Sequence, residues 1–313
     1  MKKAFDLNDY IEDIELNGLQ GRMINAPTTN PKAKKLNILL FHGHHSSLER
    51  MGGVAELLLD YGNFCMPDFP GFGGMDPLYK IGLMPDYDNL ADYMAAFIKL
   101  HYGTKKKFVV VGYSFGFVVL GRMLQKYPEL KNQVIEVVGI ASFVSGESFV
   151  FSKNRLRIYT AMALIGQTRL GSFVIRELFL RKWFIGTIYV RTRNAKVKFA
   201  KYSKVEVDKY IDFEVHLWRC NDLRTHAYTI LEMFRVNLLN NDQKIDTNVI
   251  SIVVDGDHYF DNKTVEQHLN VLFDKVKVYR AKVDVHGMSI IADAKDAEMY
   301  FPKQVRAHLR SLL

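Results

Sequence analysis

Lys107-Phe108-Val109-Val110-Val111-Gly112-Tyr113-Ser114-Phe115-Gly116-Phe117-Val118-Val119-Leu120 is the stretch that decides the fold. A β-branched, apolar run stops at Gly112, and a helix-like apolar pattern starts just after Ser114. Between them lies Gly-x-Ser-x-Gly, the sequence form of a sharp strand-to-helix turn that lifts a serine above a sheet edge. Ser114 is expected to sit in a strained backbone conformation, and side chains two residues to either side would collide with it. The N-terminus of the helix offers unpaired N–H groups to a developing negative charge. Alone, the motif is weak, because small residues cluster by chance. Its weight comes from the strand before it and the helix after it.

Upstream, Lys35-Leu36-Asn37-Ile38-Leu39-Leu40-Phe41 predicts a buried strand running into His42-Gly43-His44-His45-Ser46-Ser47. A helix over 48–61 and a strand over 62–68 follow, then Phe69-Pro70-Gly71-Phe72-Gly73-Gly74. Nearer the N-terminus, short alternating runs flank Asn17-Gly18, a dipeptide that favours a tight hairpin turn. Leu90, Tyr93, Met94, Phe97 and Ile98 recur at helical spacing just before the Ser114 strand. Downstream, a helix ends near Tyr127-Pro128 and a strand covers 134–140. Apolar strands alternating with helices imply an α/β fold, with a mostly parallel sheet covered by helices on both faces.

From about 151 to 245 the alternation ceases. This stretch is helical in composition, aromatic and basic, with Arg155, Arg157, Arg169, Arg176, Arg181, Lys182, Arg191, Arg193, Lys196, Lys198, Lys201 and Lys204. The α/β pattern then returns: a strand over 249–254 ends in Asp255-Gly256-Asp257, and one over 276–283 ends near Asp284-Val285-His286-Gly287. A single final helix is expected over 297–312. The expected organisation is therefore a core of residues 1–150 and 246–313, with 151–245 inserted as a helical cap.

At 313 residues the chain is long enough for a large core. The N-terminus lacks the apolar run of a signal peptide, and no stretch is long and apolar enough to span a bilayer. Cys65 and Cys220 are the only cysteines, so no disulfide framework exists, which suits a reducing cytoplasm. The net charge of +8 directs attention to where the cations lie. For the basic stretch the alternatives are a solvated outer face, a surface for anionic membrane, and nucleic acid. Ile175, Leu178, Phe179, Trp183, Phe184 and Ile185 interleave with Arg176, Arg181 and Lys182, a mixture that interfacial helices use. No nucleic-acid module is recognisable, so that partner is not expected.

Ser114, an acid after the 249–254 strand, and His286 after the last strand follow the order Ser, Asp, His. Each lies just past the C-terminal end of a predicted parallel strand, where open α/β sheets place ligands. A serine hydroxyl needs a base, and that base needs a partner that fixes its tautomer. With these parts the chain resembles the α/β-hydrolase superfamily. The matching residues are His42-Gly43, Asp68-x-Pro70-Gly71-x-Gly73, Gly112-Tyr113-Ser114-Phe115-Gly116, the Gly256-Asp257 turn and His286. The resemblance covers roughly 10–150 and 246–313 and leaves the insertion aside. It implies a catalytic triad of Ser114, Asp257 and His286, with the backbone N–H groups of His44 and Phe115 as the oxyanion hole. Asp255 and Asp261 compete with Asp257 for the acid, and Asp257, followed by apolar Tyr259-Phe260, fits best. Phe117 departs from the pattern, because many members carry a glycine there; close helix–strand packing is therefore in question. His42, His44 and His45 could ligate a metal, but no second His or Cys cluster supports a zinc site, and neither metal nor cofactor is expected.

Two functions follow as expectations. One is a cytoplasmic serine hydrolase acting on an ester or related acyl bond of a small, apolar substrate, with a membrane-surface lipase or thioesterase as a variant. The other is a catalytically silent binding protein built on the same fold.

Overall fold

The computed structural model describes residues 5–191, 203–240, 244–287, 291 and 293–313. Arg193, Lys196, Lys198 and Lys201 of the basic stretch lie outside the described residues. Eight strands form one sheet in the order β1-β2-β4-β3-β5-β6-β7-β8. They are β1 (Ile11–Leu16), β2 (Leu19–Ala26), β3 (Asn37–Phe41), β4 (Asn63–Pro67), β5 (Phe108–Tyr113), β6 (Val134–Ile140), β7 (Ile245–Val254) and β8 (Phe273–Ala281). β1 and β2 pair antiparallel, as do β2 and β4, and the rest of the sheet is parallel. Asn17 and Gly18 close the first hairpin with φ of 54° and 77°, the pair of positive values that a two-residue turn of this hand requires.

Period-two alternation sorts each strand between two cores. Phe108 and Val110 of β5 face one side and pack with α2 (Tyr87–Tyr102) and α3 (Phe115–Lys126). Val109 and Val111 face the other and pack with α1 (Gly52–Leu58). Because helices cover both faces, every residue of β5 is buried. That is why the strand reads as a continuous apolar run.

Among the described residues, five α-helices follow β6 before the chain returns to the sheet: α4 (Lys153–Gly166), α5 (Arg169–Phe179), α6 (Lys182–Arg191), α7 (Lys204–Cys220) and α8 (Leu223–Arg235). Polar residues start them: Ser152, Thr168 and Asp222 each accept a backbone N–H, and Ser203 with Glu206 forms a reciprocal capping box. Leu180, Ile185, Ile211, Val215 and Leu223 make a small core of their own.

After β7 come α9 (Asn262–Leu272), α10 (Ala294–Glu298) and α11 (Lys303–Ser311). The single final helix expected over 297–312 is thus two helices. Pro302 is the cause: it has no N–H to give, and its ring disfavours helical backbone at Phe301. β8 begins at Phe273, three residues before the predicted start, directly after α9. Phe117 is accommodated without loss of packing. It is fully buried against Phe273, with ring centroids 5.8 Å apart. A Cβ at Gly139 of β6 would lie 2.7 Å from its ring, so the space comes from a glycine on the neighbouring strand.

Candidate active site

Ser114 joins β5 to α3 with φ 50° and ψ −117°, a conformation that a non-glycine residue adopts only under strain. Its N–H donates to Ile140 O at 2.9 Å, tying the turn to β6. The two flanking glycines are required by close approach, though not against the neighbours expected. A Cβ at Gly116 would lie 2.2 Å from Phe41 O, and one at Gly112 would lie 2.8 Å from Phe117 Cα. The elbow is pressed against the end of β3 and the first turn of α3.

Past β8, His286 reaches back to this serine. Its Nε2 lies 3.0 Å from Ser114 Oγ, and its Nδ1 lies 2.6 Å from Asp257 Oδ2. The other oxygen of Asp257 accepts the N–H groups of Tyr259 at 2.8 Å and Phe260 at 3.3 Å. Burial raises the pKa of this carboxyl and is the largest single influence. The charge and hydrogen bond of His286 and the two backbone donors outweigh it, and the net pKa lies below the usual carboxylate value. An ionised Asp257 accepts from Nδ1–H and leaves the Nε2 lone pair free to receive the serine proton.

The rivals of Asp257 are placed elsewhere. Asp255 pairs at 3.1 Å with Arg280 at the exposed end of β8. Asp261 caps α9, accepting Thr264 N–H at 2.8 Å. Aromatic rings wall in His286: Tyr259, Phe260 and Tyr113 lie 5.1, 5.3 and 6.1 Å away between centroids. The Tyr113 hydroxyl, kept protonated by burial, donates to His286 O at 2.7 Å.

Strand register puts the two expected N–H donors just past the ends of neighbouring strands. Phe41 pairs with Gly112, so His44 and Phe115 each lie three residues beyond a paired position. Their rings are 6.0 Å apart. Phe115 is the first residue of α3, where N–H groups lack an intrahelical acceptor.

The three loop histidines have separate partners. His42 donates Nδ1–H to Gly43 O at 2.8 Å and accepts Phe69 N–H at Nε2 at 2.9 Å, which fixes it as neutral. Burial pushes its pKa down to about 4. His44, pushed by burial to about 3, places Nε2 2.9 Å from Thr229 Oγ1 and 3.1 Å from His226 O, both on α8. His45, at φ 54°, places Nε2 3.3 Å from Glu214 of α7, and its ring lies tilted against Trp218, centroids 4.2 Å apart. Among the described residues no group of three His, Cys, Asp or Glu side chains is arranged to hold a metal ion.

These contacts with the insertion carry no local sequence signal. His226, Thr229 and Glu214 lie about 170 or more residues from the loop they meet. The α7–α8 junction is pinned to the loop after β4 as well. Asn221 Oδ1 accepts Gly73 N–H at 2.8 Å, and Asp222 N–H donates to Gly71 O at 2.8 Å. Gly71 and Gly73 both have positive φ. Beneath Gly73, Asp68 is fully buried; burial raises its pKa well above the carboxylate range against the pull of Arg22, 3.4 Å away.

Within the insertion, Trp183 is 69% exposed. Trp218 is half-buried, against His45 and His226. Of the interleaved cations, Arg181 bonds Glu177 at 2.9 Å, Lys182 bonds Asp212 at 2.5 Å, and Arg176 donates to Asn221 O at 3.1 Å.

Residues 38–237, well over half of the chain, match the model of a family described as the alpha/beta hydrolase family. No curated protein matches the chain in sequence. Solved structures do resemble it in fold. A thermophilic esterase from Thermogutta terrifontis is 16% identical, with a TM-score of 0.60 over 97% of this chain and 96% of that one. An esterase from Exiguobacterium antarcticum is 12% identical, with a TM-score of 0.66 over 96% and 98%. An N-formylmaleamic acid deformylase from Pseudomonas putida S16 is 15% identical, with a TM-score of 0.62 over 93% and 100%. At these identities the likeness is one of fold.

Proposed function

Given that the chain belongs to the alpha/beta hydrolase family, we propose that it is a serine hydrolase that cleaves an ester or related acyl bond of a small, apolar substrate. One observation carries this reading: Ser114 Oγ, His286 and Asp257 form a continuous hydrogen-bonded relay of 3.0 and 2.6 Å at the C-terminal edge of the sheet. In the proposed reaction His286 Nε2 takes the Ser114 proton as Oγ adds to the substrate carbonyl carbon. The N–H groups of His44 and Phe115 receive the charge that develops on the carbonyl oxygen. Collapse of the adduct expels the alcohol, which leaves with the proton held by His286. Water then adds to the acyl-serine as His286 takes its proton; collapse of this second adduct releases the acid, and the departing Ser114 Oγ takes that proton back from His286. Asp257 holds the tautomer and balances the imidazolium throughout.

An apolar acyl group is supported by the aromatic surroundings. Phe260 stacks on Phe143 at 4.5 Å, and Phe151 meets Tyr259 at 5.7 Å, so the rings beside His286 continue into the insertion. The insertion, residues 151–245, serves as the cap of a core formed by 1–150 and 246–313. No helix among the described residues is long and apolar enough to cross a membrane.

Labelling with a fluorophosphonate probe tests the reading. The wild-type protein is expected to label and to hydrolyse short p-nitrophenyl esters, and Ser114→Ala to lose both while remaining folded, with turnover down about 10⁴-fold or more. A folded wild-type protein that neither labels nor turns over would instead be the silent binding protein.

A further inference from the structure

The helices α4 and α5 present apolar residues at helical spacing toward solvent. On α4, Ile158, Met162 and Ile165 recur at i, i+4, i+7, and each is more than half exposed. Tyr159 and Ala163, on the flank beside this stripe, turn inward, Tyr159 against Phe151 and Ala163 into the interior. On α5, Leu170, Phe173 and Leu178 are 74%, 63% and 58% exposed. α5 has no buried residue at all. An amphipathic helix of 11 residues is not stable by propensity alone; its apolar face needs something to pack on. Monomeric proteins rarely leave such faces bare without a use for them.

The charge around these stripes selects the occupant. Residues 151–191 contain eight Lys and Arg but one acidic residue, Glu177, which is already bonded to Arg181. Among the described residues Arg157 and Arg169, at the borders of the stripes, make no ion pair. Two copies of this face would repel each other, whereas an anionic bilayer offers both hydrocarbon for the stripes and negative headgroups for the cations. Trp183, on the next helix, adds an exposed ring of the kind that settles at the headgroup level.

We propose that the outer faces of α4 and α5 dock the protein on an anionic lipid bilayer, lying in its interface. The contact is led by the apolar stripes, not by Arg176, Arg181 and Lys182, which are spent on internal bonds. This docking supplies a partner for the cap of the proposed enzyme. Through Tyr159, Phe151 and Tyr259 the inner side of α4 connects to the ring of His286, so docking would bring the proposed site to the lipid surface.

The test is flotation with vesicles of phosphatidylcholine, with and without phosphatidylglycerol, using wild type and Ser114→Ala alike. Both proteins should bind the anionic vesicles, less as salt rises. Leu170→Ser with Phe173→Ser should weaken binding about tenfold while a soluble short ester is still hydrolysed at the wild-type rate. Arg157→Glu and Arg169→Glu should weaken it about fivefold each. Undiminished binding by the Leu170/Phe173 variant overturns the proposal. So does a wild-type dimer, seen by light scattering, that this variant dissociates, since the face would then join two copies. Because Ser114→Ala is carried through every arm, failure of the catalytic reading leaves the docking result standing.

Discussion

Asp257 differs from its neighbours Asp255 and Asp261 by a turn of backbone, not by chemistry. All three are carboxylates within seven residues, and the sequence leaves them in competition. What separates them is the direction in which the turn after β7 aims each side chain: Asp257 at His286, Asp255 at Arg280, Asp261 at the start of α9. A consequence can be measured. Asp257→Asn should lower turnover by about 10⁴-fold, because the amide no longer holds the productive tautomer. Asp255→Asn should leave turnover near wild type, since it loses only an exposed pair. If Asp255→Asn were the more damaging of the two, the proposed acid would be misassigned.

Elements made of local pattern were the legible ones. The run Phe108 to Val111 is β-branched and apolar because both its faces are covered, and nothing distant is needed to read it. Ser114, His44 and Phe115 could be proposed from the sequence for the same reason, as each follows a strand end. The bonds from His44 to Thr229 and from Asn221 to Gly73 were not, because they join elements about 150 or more residues apart. The outward stripe on α4 was hidden differently: helical periodicity identifies an apolar face but not whether protein covers it. The α7–α8 junction carries its own prediction. Asn221→Ala would leave the buried Gly73 N–H without its acceptor, an expected loss of about 1–3 kcal/mol. Urea unfolding should register that loss. Limited proteolysis should find α7 and α8 cut sooner than in wild type; equal protection would show that the bond does not hold the junction.

For the whole molecule, the buried histidines set a response to acid. His42 has a folded pKa of about 4 against 6.5 when free. Between those values the unfolded chain takes up a proton at His42 that the folded chain refuses, so this histidine's contribution to stability rises with pH across the window, while Asp68, with its raised pKa, contributes in the opposite direction. The His42 contribution should be complete above about pH 6.5 and fall by roughly 3 kcal/mol as pH drops toward 4. His44, with its still lower value, acts in the same direction. Urea midpoints measured across this window should show the slope, and His42→Gln should flatten it. An unchanged slope in that variant would remove His42 as its source.

β6 and β7 are neighbours in the sheet, with Ile140 paired to Ile252. The chain therefore leaves and re-enters the core across a single strand spacing, and a Ser145–Asn237 bridge closes that gap. The cost of joining two ends already held together grows only with the logarithm of what lies between them. Insert length is thus nearly neutral for the sheet, and in evolutionary terms the segment between Ser145 and Asn237 is a replaceable cassette. A lineage could exchange it by recombination and acquire a new surface, while the strands that carry Ser114, Asp257 and His286 stay in register.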